Sequence, residues 1–312
     1  MKVLVAGATG ALGRELVPQL IAGGHKVTGM TRSETGRAAL HKMGADVVVA
    51  DALDGAAVKA AVAAAAPEVI VHQLTALKGD LSFKKFDQSF ALTNRLRTEG
   101  TDHLMAAARA AGVRRIVAQS FAAWNLARTG GPTKTEEDPL DPDPVPASRE
   151  TMAGIKHVEA AVTSDPAIEG LALRYGGFYG PGSMLSKNGE MVEQVRKRKL
   201  PIIGDGAGVW TFIHFADAAS ATVRAVEQGA PGIYQIGDDE PAPAAVWLPE
   251  LARILGAKPP RRVPVWLGRL VAGELGVSMF TKVRGADNTK AKRELDWTLK
   301  YPSWRQGFRE GL

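Results

Sequence analysis

Along the first 120 residues, short apolar runs alternate with stretches whose apolar residues recur every three or four positions. The runs predict strands at 2–6, 25–31, 46–50, 68–73 and 114–119, and the spaced stretches predict helices near 11–23, 35–42, 54–65 and 88–111. Ala56–Ala63 is strongly helical by propensity, and Pro67 restarts the chain before Val69. Strands that are apolar throughout are buried on both faces, so this order predicts a doubly wound parallel sheet covered by helices, an α/β fold. A helix over about 149–163 and a strand at 171–175 complete it.

Between them, Gly130–Pro146 is too rich in proline and acid for regular structure. A connection that long after the fifth strand is expected to lie over the carboxyl-end crevice, where such sheets bind ligands. After Gly182 the order becomes mixed, with strands read at 200–203, 210–214 and 232–236 and helices near 216–228, 243–256, 264–273 and 288–295. The chain therefore divides into a sheet domain over 1–180, to which 216–238 returns, and a smaller C-terminal lobe over 181–312 that shapes a substrate pocket.

One turn carries candidate chemistry. Gly7-Ala8-Thr9-Gly10-Ala11-Leu12-Gly13 stands between the first strand and the first helix. Gly7 permits the tight turn, Gly10 lets backbone approach a pyrophosphate, and Gly13 lets helix and strand pack closely, while the helix N-terminus offers unpaired N–H groups to the anion. This is a dinucleotide-binding turn of the Rossmann type.

Composition narrows the partners. Cysteine is absent from the 312 residues, which excludes disulfides and thiolate metal sites, and no metal site is expected. The formal charge of +6 comes from scattered basic residues, apart from the short clusters Arg196–Lys199 and Arg261-Arg262. Neither is interleaved with aromatics, so a nucleic-acid partner is not expected. No stretch is apolar for long enough to span a bilayer, and a soluble, cytoplasmic protein acting on a small molecule is the expectation.

With the turn, Asp51-Ala52-Leu53 after the third strand, Arg174–Gly182 and Phe212–Ala219 stand in the order found in the extended short-chain dehydrogenases/reductases, the NAD-dependent epimerase/dehydratase family, which the chain resembles over most of its length. The closing Asn288–Trp297 segment is similar to that family's as well. The resemblance implies that Gly7, Thr9, Gly10, Ala11, Leu12 and Gly13 hold the pyrophosphate, that Asp51 and Ala52 sit at the adenine, and that Leu74 and Phe178 contact the cofactor. The second strand ends in Thr31-Arg32 instead of an acidic residue, and Arg32 suits a 2′-phosphate, so NADP is favoured over NAD.

The resemblance further implies a Tyr-x-x-x-Lys pair on the helix after the fifth strand and a hydroxyl residue at that strand's end. Tyrosine would exchange a proton with substrate, and lysine would hold the cofactor ribose and lower the tyrosine's pKa. Ser120 and Lys156 match these places, but Met152 stands where tyrosine is expected. Tyr175 is the first candidate for a replacement donor and a further cofactor contact, with Tyr179, Trp124-Asn125 and His214 behind it. A structural part is the alternative for each, and Asp217 reads as a helix N-cap.

Relatives acting on nucleotide sugars carry a phosphate-holding arginine where this chain has Trp210, which points to a flatter, less charged substrate. The expectation is an NADP-dependent oxidoreductase or epimerase-like enzyme on a small carbonyl or hydroxyl compound. An NADP(H)-sensing protein without turnover and a non-redox isomerase or lyase are the alternatives. Both a monomer and a homodimer, the latter paired through helices 88–111 and 149–163, fit the sequence.

Overall fold

The computed structural model describes residues 1–77 and 82–312. Its centre is a parallel sheet of seven strands. In sequence, β1 is Lys2–Ala6, β2 Lys26–Thr31, β3 Asp46–Val49, β4 Val69–His72 and β5 Arg115–Phe121, followed by Glu169–Tyr175 and Gly232–Ile236. In space the order is Gly232–Ile236, Glu169–Tyr175, β5, β4, β1, β2, β3. The order reverses between β1 and β4, and the crevice that opens there at the carboxyl ends is where this architecture binds ligands.

Helices cover both faces because the strands are apolar on both. Helix α1 (Ala11–Ala22) and the helix Phe215–Glu227 close one face over Val3, Val5, Val71, Val117 and Leu173. On the other face, α3 (Gly55–Ala65), α5 (Thr101–Ala111) and α6 (Arg149–Thr163) cover Leu4, Ala6, Ile70, Ile116 and Ala118. Two further helices of the sheet region are α2 (Glu34–Lys42) and α4 (Phe86–Arg95).

The helix expected at 88–111 is α4 and α5 joined by a wider π-type turn at Leu96–Gly100. The helix expected at 264–273 runs on through Val265–Thr281, kinked where Gly273 takes φ 73°. A closing helix, Trp304–Glu310, has too few apolar residues for its period to stand out in the sequence. The 130–146 connection is pinned rather than loose: Gln235 N donates to Glu136 Oε1 at 2.7 Å, and Arg128 pairs with Asp141 at 2.8 Å.

A second core joins the C-terminal segments to the sheet region. Trp210, Phe212, Trp247, Leu251 and Phe280 pack with Trp304 and Phe308, and the cluster continues without a break into Phe86, Trp124, Met152 and Ile155 of α4, the β5 loop and α6. Among the described residues no helix is long and apolar enough to cross a membrane.

Candidate functional site

The glycine turn has the shape a pyrophosphate needs. Gly7 has φ +91°, and a Cβ there would lie 2.5 Å from the Gln73 carbonyl oxygen; at Gly13 it would lie 2.5 Å from the oxygens of Gly7 and Ala8. Both positions therefore require glycine. No side chain caps α1 at Gly10, so its first-turn N–H groups face the crevice with the positive end of the helix dipole. Thr9 holds the turn through its carbonyl, which accepts from Arg14 Nε at 3.1 Å. A turn packed this closely on its neighbours, opening onto free helix N–H groups, fits a dinucleotide. Leu74 borders it, its N–H bonded to His72 Nδ1 at 3.2 Å.

Of the two residues expected at the adenine, Asp51 is exposed and its Oδ1 accepts from Leu53 N at 3.0 Å, while Ala52 is buried. Arg32 faces it, 3.9 Å from Asp51 Oδ2 with more than half of its side chain exposed. Phe178 lies against the core beneath the turn, stacked on Phe215 at 4.8 Å and tilted against Tyr175 at 5.4 Å.

Ser120, Lys156 and Tyr175 do not come together. Ser120 pairs in register with Arg174, so these two share a face of the sheet and Tyr175 takes the other. On the α6 side, Ser120 is fully buried and donates to Glu159, which also takes both arms of Arg174 at 2.7 Å. On the opposite side, the Tyr175 hydroxyl is bonded to Thr222 at 2.7 Å and accepts from Gln73 at 3.2 Å, and burial pushes its pKa well up. Lys156 lies on the outward stripe of α6 with Arg149, Ala153 and Ala160, all exposed.

The remaining candidates are structural in geometry. The Asn125 side chain closes its own turn through Ala123 N and the Phe121 carbonyl, and Trp124 is buried in the second core. Tyr179 packs edge-on against Phe308 at 5.2 Å. His214, not Asp217, caps the helix Phe215–Glu227, by accepting from Ala216 N at 3.0 Å. Asp217 instead accepts from the backbone of Lys300 and Tyr301, because it lies a turn inside the helix and faces the chain's closing segment. Trp210 is buried, with Nε1 donating to the Met279 carbonyl at 2.7 Å.

Trp124 and Met152 belong to an apolar cluster whose other members here, Phe86, Phe90 and Phe121, the sequence did not single out. Phe86 stacks on Phe90 at 4.4 Å and meets Trp124 edge-on at 5.2 Å, with Met152 and Phe121 in the same apolar wall. The inward residues of α6 at four-residue spacing are Thr151 and Ile155, both fully buried, one position before Met152 and Lys156. Thr151 donates to Asp87 Oδ1 at 2.6 Å and accepts from Asn94 Nδ2 at 3.1 Å. The signal that could have set this register is Glu159, the only acid in the buried face of α6.

Residues 3–237 match the model of the NAD dependent epimerase/dehydratase family. The chain belongs to that family. It is an NAD(P)-dependent enzyme of the family's reductase and epimerase type. A relative in Streptomyces sp., 3-diazoavenalumate denitrifying reductase, is 47% identical over 309 residues, 99% of each chain. The 2-alkyl-3-oxoalkanoate reductase of Stenotrophomonas maltophilia is 28% identical over 82% of this chain and 76% of its own.

The fold is that of family members with solved structures. The human epimerase family protein SDR39U1 with NADPH aligns at a TM-score of 0.74 and 20% identity, covering 99% of this chain and 98% of that one. The UDP-glucose 4-epimerase of Thermotoga maritima with UDP-glucose aligns at 0.74 and 21%, covering 99% and 96%.

Proposed function

We propose that this enzyme uses NADPH to reduce a diazo carboxylate with loss of dinitrogen, as the name of its Streptomyces relative describes for that protein. The observation that carries the reading is that no tyrosine reaches the crevice. The chain has four, all among the described residues, and each is at most 9% exposed. Tyr175 and Tyr234 have their hydroxyls bonded within the fold, and Tyr179 and Tyr301 pack against His214.

A carbonyl that accepts a hydride becomes an alkoxide and needs a proton placed on oxygen. A diazonium carbon that accepts a hydride forms a C–H bond as its C–N bond breaks, and the bonding pair leaves with dinitrogen. That step asks the protein for no proton. When bound, the reduced nicotinamide supplies the hydride.

The residues then divide the remaining work. The uncapped start of α1 binds the pyrophosphate, and Arg32, with no acid at Thr31 to oppose it, takes the 2′-phosphate and favours NADP over NAD. Phe86, Phe90, Phe121, Trp124 and Met152 hold a flat substrate and exclude water, which protects a reactive diazonium from hydrolysis. Residues 181–312, apart from the helix and strand within 215–236 that return to the sheet region, close the substrate side.

The test is incubation with an aryl diazonium carboxylate and NADPH deuterated at the transferring position. Deuterium on the carbon that held nitrogen, with one dinitrogen released per NADPH consumed, is the expected result. Turnover of ketones or aldehydes with the diazonium left untouched would overturn the reading.

A further inference from the structure

The wide turn after helix α4 places a guanidinium that no side chain among the described residues pairs with by a hydrogen bond or ion pair. Arg97 is 5% exposed, and its Nη1 has no hydrogen-bond partner among the described residues. Among the described residues the carboxylate that acts on it is Glu159, which is engaged by both arms of Arg174. His72, on the other side, is neutral at physiological pH because burial and the Arg97 charge pull its pKa down to about 4. Among the described residues, two buried guanidinium groups thus share one carboxylate, which is costly without a ligand.

The direction of Arg97 is fixed by its surroundings. Its Cβ and Cδ lie against Gly154 of α6, 3.6 Å from where a Cβ would stand, as does the Asn94 backbone. Helical side chains lean toward the N-terminus of their helix, and the Arg97 guanidinium accordingly sits 5.8 Å from the Phe90 ring. Its charge acts on His72, at the end of β4, and it feels Glu159, which holds Ser120 of β5.

Asn94, three residues earlier on the same face, leaves a second orphan. Thr151 spends its only hydroxyl hydrogen on Asp87 Oδ1, so it must accept from Asn94 Nδ2, and this fixes the amide's orientation. Asn94 Oδ1 is then buried with no partner among the described residues. A lone donor and a lone acceptor on residues three apart, both packed on Gly154, suit a hydroxyl group, which takes one hydrogen bond and gives another. An anion would meet the Asn94 oxygen unfavourably.

We propose that Arg97 and Asn94 hold the hydroxyls of the nicotinamide ribose from α4, the task that lysine performs from the following helix in the family pattern. Ile155 occupies the inward position on α6 where that lysine would stand, and with no tyrosine to activate, only the ribose-holding half of its task remains. The assignment rests on the NADPH reading above.

Two ligands separate the outcomes: NADPH and adenosine 2′,5′-bisphosphate, which ends before the nicotinamide ribose. Their affinities are compared in the wild type, Arg97→Gln and Arg97→Lys, with the melting temperature of each. Arg97→Gln is expected to weaken NADPH at least about tenfold and leave the bisphosphate unchanged, with partial recovery in Arg97→Lys. Unchanged NADPH affinity in Arg97→Gln, or parallel loss of both ligands in both variants, would overturn the assignment while leaving the cofactor reading intact. A wild type that binds neither ligand would overturn both.

Discussion

Ser120 and Tyr175 are separated by one step of strand register, and that step sends one to each face of the sheet. Ser120 completes the buried Glu159–Arg174 pair, so Glu159 belongs to stability more than to chemistry. Glu159→Ala would leave Arg174 buried and unpaired at a cost of about 3–5 kcal/mol, read by urea denaturation. Tyr175→Phe removes two hydrogen bonds but no proton donor: stability falls by about 1–3 kcal/mol, and kcat stays near the wild-type value. A large loss of kcat in that variant at temperatures where it remains folded would restore Tyr175 to the chemistry. At Gly7 the constraint is backbone geometry, because alanine would meet the Gln73 carbonyl at a φ it disfavours. Gly7→Ala is expected to lose cofactor binding by titration, with strain of about 1–3 kcal/mol.

Among the elements, α6 depends on its neighbour for its start. Ser148 makes no capping bond, and Asp87 of α4 instead accepts from the N–H groups of Glu150 at 3.0 Å and Thr151 at 2.9 Å. Asp87→Ala should cost about 0.5–2 kcal/mol, as loss of a cap does, and also free the Thr151 hydroxyl that orients Asn94. Strand β4 ends in a pH-sensitive contact. His72 donates from Nε2 to Thr101 and accepts at Nδ1 from Leu74 N, so it folds neutral. Its folded pKa of about 4 lies below the ordinary value of 6.5, so the unfolded chain takes up the proton first as pH falls. The contribution is intact above about pH 6.5 and is lost between there and pH 4, at up to about 1.4 kcal/mol per pH unit. Melting curves over that range should show the loss, and His72→Gln should flatten it.

For the molecule as a whole, the second core removes any clean seam between the sheet region and the C-terminal segments. Trp247 and Phe212 share one apolar cluster with Met152 and Ile155 of α6. A single cooperative transition is therefore expected by calorimetry, and two resolved transitions would show that the lobes unfold separately. Arg32 and Asp51, which we propose flank the 2′-phosphate, are both about half exposed. Arg32→Ala is expected to weaken NADPH by about tenfold while NADH affinity holds, a difference that direct titration reads.

The α/β layering and the glycine turn were legible in the sequence because both are local: apolar periodicity records which faces are buried, and glycine spacing records backbone that admits no Cβ. The side-chain roles around the nicotinamide were not legible in this way. Lys156 has the family's spacing from Met152, yet helix α6 is rotated so that Thr151 and Ile155 face inward and Lys156 faces out. That rotation is set by what α6 packs on, namely Asp87, Arg97 and the Ser120–Arg174 face of the sheet, all distant along the chain. By itself the sequence determined the strand, glycine turn and helix at Gly7–Gly13 that we read as the dinucleotide site; only the tertiary structure decided which faces Ser120, Tyr175 and Lys156 take, because one residue of register on a strand or helix moves a side chain to another face.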